Sequence, residues 1–140
     1  MALVLPVDAK ALTIAYLKQH ASVVALAGPR VGDRARWATW PQVSVVSFGG
    51  REIGAVVNQV HLHEAYLQVD CWGENLNAQE TVQLLARTVW AALIEMPNTS
   101  HTRGVVTDVR TITPPHDFAD ELDRSRVQAE YGVIVRPHDL

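Results

Sequence analysis

Between residues 63 and 93 the chain switches its hydrophobic period. Residues 63–72 alternate, with Ala65, Leu67, Val69 and Cys71 on one side and Glu64, Tyr66, Gln68, Asp70 and Trp72 on the other. A period of two predicts a strand with one face on a core and one polar face, here carrying two aromatics. After Gly73 and a short polar turn, Val82, Leu85, Ala86, Val89 and Leu93 recur at helical spacing, with Glu80, Gln83 and Arg87 opposite. Both periods are satisfied when the helix lies across the face of a sheet. Asn77 with Glu80 fits a capping box, and Pro97 stops the helix near residues 94–96. Trp90 flanks the apolar stripe and is assigned to the core.

The remaining pattern is weaker. Asp8 is a good N-cap for a first helix striped by Ala11, Leu12, Ala15 and Tyr16, and a second short turn over 22–26 closes at Gly28-Pro29. Residues 31–41 show no period and read as an exposed loop with a short strand near Val31. Pro41 opens a strand over 43–48 that Gly49-Gly50 ends. Glycines 49, 50 and 54 predict a hairpin or mobile loop over 51–60. A β-branched strand over 104–113 ends at Pro114-Pro115, an acidic linker follows, and a last strand over 126–135 puts Val127, Ala129, Tyr131, Val133 and Val135 on one side. The expected fold is α+β: an antiparallel sheet of about four main strands with two helices packed on one face, in a single domain over residues 1–140.

Composition narrows the function classes. At 140 residues the chain suits one modest core. No apolar run is long enough to span a bilayer, so no membrane partner is expected. The N-terminus lacks the basic region of a signal peptide. The lone Cys71 cannot form an internal disulfide and reads as a small buried hydrophobe. Twelve Lys+Arg stand against fifteen Asp+Glu, a net charge of −3, and the cations are scattered. A sequence-independent nucleic-acid binder needs a basic patch instead.

The search for chemistry is thin. His61 and His63 share a strand face and could reach one metal ion, with a third ligand from His101 or from His116-Asp117. A His-dependent metalloenzyme is therefore the reading from another class. Metal sites need three or four supported ligands, and histidines at strand ends are ordinarily solvated. No H-E-x-x-H, P-loop, dinucleotide fingerprint or nucleophile elbow occurs. Asp117, Asp120, Glu121 and Asp123 cluster carboxylates, but on a Pro-started linker they read as a solvated loop. No catalytic residue, metal or cofactor is expected, and the chain is read as a non-enzyme. Arg34, Arg36, Trp37 and Trp40 form the segment with binding character, because Arg and Trp are enriched at protein interfaces. Stacking of single-stranded bases, or tryptophans folded back onto the sheet, are the competing readings of that segment.

One family matches these pieces in order and spacing. They are Leu26-Ala27-Gly28 with Arg30-Val31, then Pro41-Gln42-Val43-Ser44-Val45-Val46 after an aromatic loop, then Leu67-Gln68-Val69-Asp70-Cys71-Trp72-Gly73. The helix over 78–93 and Tyr131-Gly132-Val133-Ile134-Val135-Arg136 complete the set. Over most of its length the chain resembles the tail-terminator (tail-completion) proteins of long-tailed bacteriophages; residues 49–62 have no match. The resemblance implies a structural virion protein of the tail neck, made in the host cytoplasm and assembled there. It would form a ring of its own copies, typically six, on the tail tube protein and present a surface to the head-closure or connector protein. DNA would pass through the lumen without specific binding. Such a ring needs two different surfaces of each subunit. Arg34, Arg36, Trp37 and Trp40 against Asp117, Asp120 and Asp123 would supply opposite charges. Six copies would carry a charge of about −18, which repels passing DNA. A head-closure or connector adaptor is the alternative within the same class.

Overall fold

The alternating segment becomes the spine of the molecule. The computed structural model describes residues 3–36, 38–53 and 61–138. Helices α1 (Ala9–Gln19) and α2 (Ala21–Ala27) lead into strands β1 (Val31–Gly32), β2 (Gln42–Glu52) and β3 (His63–Trp72). Helix α3 (Gln79–Glu95) follows, then β4 (Val105–Asp117) and β5 (Arg126–Arg136). The strands form one sheet in the order β1-β2-β3-β5-β4, with β1 parallel to β2 and every other pair antiparallel. The α+β class is as the periods predict, with two corrections. Among the described residues there are five strands rather than four, because Val31 and Gly32 pair with Val43 and Ser44. Among them there are three helices rather than two, because His20 adopts extended backbone and splits α1 from α2.

One face of the sheet meets the helices. Val43 and Val45 of β2, Ala65 to Cys71 of β3 and Val127 to Val135 of β5 point inward at alternate positions. Val82, Leu85, Val89 and Leu93 of α3 meet them, joined by Leu12, Leu17 and Val23 from the first two helices. All of these are nearly or fully buried, and each apolar side chain so buried stabilises by roughly 1.5–3 kcal/mol. Trp90 is half-buried against this core and donates its Nε1–H to Thr111 Oγ1 at 2.9 Å.

Three element ends differ from the sequence pattern. Strand β2 runs through Gly49-Gly50 to Glu52, because Phe48 is accommodated as an extra residue between the pairs Ser47/Leu67 and Gly49/Tyr66. Gly49 takes a φ of 137°, which glycine reaches without strain. Strand β4 continues through Pro114-Pro115 to Asp117; it is an edge strand, where missing N–H groups on the outer side cost little. The capping box at Asn77 and Glu80 is not formed. Instead the Asn75 side chain accepts the Asn77 N–H at 2.9 Å and opens a 3-10 turn, Leu76–Ala78, that feeds α3. Asp8 caps α1 as expected, accepting the Ala11 N–H at 3.0 Å. Residues 54–60, where a hairpin or mobile loop is expected, lie outside the described residues. No helix is long and apolar enough to cross a membrane among the described residues.

Candidate interaction surface

The second face of the sheet carries polar side chains, and at one end they are stacked in a ladder. The alternation of β3 sends Asp70 and Trp72 to this face, and that of β5 sends Arg126. The Trp72 indole donates Nε1–H to Ser44 Oγ at 3.0 Å, which fixes the plane of the ring. Arg124 lies over Trp72 at 4.8 Å from its centroid and Arg126 at 4.4 Å. Trp40 also lies against Arg124, at 5.8 Å, and Phe118 against Arg126, at 4.3 Å. Aromatic and guanidinium groups thus alternate Trp40, Arg124, Trp72, Arg126, Phe118. Each such contact contributes about 0.5–2 kcal/mol depending on desolvation.

Both cations are neutralised. Arg124 Nε donates to Asp120 Oδ2 at 2.9 Å, and Arg126 Nε donates to the buried Asp70 Oδ1 at 2.9 Å. Gln68 donates to the other Asp70 oxygen at 2.8 Å. The hydrogen bond from Arg124 holds the Asp120 carboxyl below its ordinary range. Backbone bonds complete the end: Gly73 N–H donates to Ser125 O, Ser125 Oγ to Asn75 O, and Phe118 N–H to Arg126 O. The ladder therefore ties three connections, around residues 38–41, 73–78 and 118–125, onto one end of the sheet.

A second cluster occupies the same face further along. Glu64 is fully buried, yet it accepts from Arg51 Nε at 2.9 Å and from Arg110 Nε at 3.0 Å. Its carboxyl is held below the usual range first by the hydrogen bond from Arg110, opposed by burial and aided by Arg51. Gly132 and Gly50 make room for it: a Cβ at Gly132 would strike the Glu64 carboxylate, and one at Gly50 the Glu64 carbonyl. Beside it Phe48 stacks on Tyr66 at 5.7 Å between centroids.

The residues expected to mediate contacts fall at several places in the fold. Arg34 and Arg36 both lie near Asp33, at 4.0 and 3.8 Å, on an exposed loop. Trp37 lies outside the described residues. Trp40 is half-buried in the ladder. Asp117 ends β4 and accepts from Gln79 at 2.6 Å and Gln83 at 3.2 Å on α3. Asp120 belongs to the ladder through Arg124. Asp123 holds a left-handed turn at φ 54°, its N–H bonded to Asp120 O. The structure thus brings Trp40 and Asp120 together, bridged by Arg124, and places Asp117 against α3. The expected solvated linker 117–123 is in part a pinned connection, because Asp117 and Asp120 are engaged.

Sequence reasoning missed Arg124, Arg126, Arg51 and Arg110. A signal for the first pair existed: Arg124 and Arg126 stand two apart at the start of a strand, as do Asp70 and Trp72 at the end of another. Nothing local marks Glu64, whose two partners are 13 and 46 residues away.

The histidines do not gather into a metal-binding group: among the described residues no three His, Cys, Asp or Glu side chains are placed to hold an ion. His116 bonds the Pro114 carbonyl, and His101 the Met96 carbonyl. His20 and His101 flank Tyr16 edge-on in an open groove between α1 and the end of α3. Burial pushes the Cys71 thiol well above its ordinary range, so it stays protonated.

No protein-family model matches the chain, and no curated protein matches it. Among solved structures it is similar to a chain from the virion of a native gene transfer agent particle. The two share 17% identity with a TM-score of 0.62, over 91% of this chain and 94% of that one. At that identity the likeness is one of fold, and it extends over nearly the whole of both chains.

Proposed function

We propose that the chain is a structural virion protein, a tail terminator that caps the tail tube as a ring and offers a joining surface to the head connector. The observation that carries this reading is the end-to-end fold likeness to a chain of a virion particle, met by a sequence that independently resembles tail terminators. The site geometry supports it. On the polar face Asp70 and Asp120 each hold one arginine and Glu64 holds two, which leaves a firm, patterned surface. Surfaces of that kind suit repeated docking between copies, where paired charges set register.

Isolated tails made without the protein test the role. A terminator's loss gives tubes that run past their normal length in electron micrographs. Tubes of normal length that merely fail to join heads would assign the chain to head closure or to a connector adaptor instead. Purified chain mixed with tail tubes should decorate tube ends as a ring; absence of decoration at saturating concentration would overturn the reading.

A further inference from the structure

The sheet has two edges, and they are blocked and open at matching heights. On the β2 side, β1 covers Val43 and Ser44 and stops there. Among the described residues no strand pairs with the outer side of β2 beyond that point. On the β4 side the matching height is Asp117 and His116, reached through Cys71 and Val127 and through Asp70 and Gln128. Pro114 and Pro115 fall just above, between the pairs made by Thr113 and His116. Prolines have no N–H, so that part of β4 cannot offer a full ladder to a neighbour.

Above this height both edges are unpaired among the described residues. Val46 lies level with Gln68, Glu130 and Thr113, and Glu52 lies level with His63, Val135 and Val106. Residues 46–52 of β2 are exposed and include Phe48 and the half-exposed Val46. An unprotected strand edge of this kind is a template for another strand. The four long strands alternate in direction across the sheet. A second copy set beside the first in the same orientation would therefore bring its β2 antiparallel to the first copy's β4. Charge agrees with that pairing. Arg51, whose Nε is held by Glu64 of its own copy, is level with Glu64, Ile134 and Asp108, so the exposed rest of its guanidinium would lie against the exposed Asp108 of the next copy, whose Oδ1 accepts the Val109 N–H.

We infer that the open half of β2, residues 46–52, pairs with the open half of β4, residues 105–113, of an adjacent copy, so that the sheet runs on from subunit to subunit. This rests on the ring reading and specifies its contact. The two surfaces differ, so the contact is head-to-tail and closes by rotation. Cross-strand backbone hydrogen bonds supply the contact, and the Arg51–Asp108 level sets its register.

Hydrogen exchange on the full chain, free and bound to purified tail tubes, tests it together with Asp108→Arg. The expected result is amide protection rising about tenfold or more in both 46–52 and 105–113 on assembly. Asp108→Arg should lower assembly by about tenfold, and well beyond Asp108→Ala, which equally loses the Oδ1 bond to the Val109 N–H and so controls for the stability of the free chain. A ring that forms while both segments exchange as in the free chain overturns the edge pairing and leaves the ring intact. Protection of 46–52 alone also overturns it, since the tube protein would then cover that edge. No ring with or without tubes removes the ring reading, and the pairing with it.

Discussion

Gly132 is the residue on which the polar face depends most narrowly. The Glu64 carboxylate sits where a side chain at 132 would be, and two arginines hold it there. Gly132→Ala should cost about 1–3 kcal/mol, the usual penalty for overpacking a site that cannot relax. Thermal melts check this. In a Glu64→Ala background the same substitution should cost much less, and a cycle of the four proteins measures the difference. Glu64 itself makes stability depend on pH. Its carboxyl lies lower in the folded chain than in the unfolded one. The stabilisation is therefore complete above the unfolded carboxylate range and lost as pH falls through the folded value. The stability gap between the native chain and Glu64→Gln should be constant from about pH 7 to 5 and shrink below about pH 4. A gap that widens in acid would contradict the assignment.

At the scale of elements, the ladder does for the connections what the apolar stripe does for α3. Arg124 touches Trp40, Trp72 and Asp120 at once. Arg124→Ala should release the connection around 118–123 at a cost of about 1 kcal/mol, raising its proteolytic cleavage about fivefold while α3 and the strands stay protected. Cleavage unchanged from the native chain would show that backbone bonds at Gly73 and Phe118 suffice. These elements were unequally legible in the sequence. Strand β3 and helix α3 were readable because a single period runs through each without interruption. The end of β2 was not, because a glycine pair usually stops a strand and here serves a bulge and a close approach to Glu64. The prolines of β4 misled for a related reason: they end central strands, and whether a strand lies at the edge is decided by partners far away in sequence. The ladder was half legible, since tryptophans 40 and 72 stood out while the arginines between them looked like scattered surface charge.

For the whole molecule, the order and type of the long elements followed from pattern, and so did the layer of helices on one face. The intrachain partners of the expected contact residues did not follow from pattern: Arg34 and Arg36 lie beside Asp33, and Asp117 accepts from amides across on α3. Replacing Trp37 and Trp40 together by alanine separates contact from support. If the chain is the tail terminator proposed above, tail completion should fall severalfold more than the small loss of thermal stability accounts for, read by counting finished tails beside a melt of the same protein; about 1 kcal/mol is the stability cost anticipated for Trp40 leaving Arg124. A chain that simply unfolds would assign both rings to the fold. Cys71 lies at 1% exposure near the end of the central strand, with its thiol kept protonated by burial. Alkylating reagents need the thiolate, so they modify this chain only when the sheet comes apart. The molecule thus carries its own clock for global opening: the rate of modification, followed by mass, times how often the free chain loses its strands, and would slow by whatever factor binding to a partner makes that event rarer.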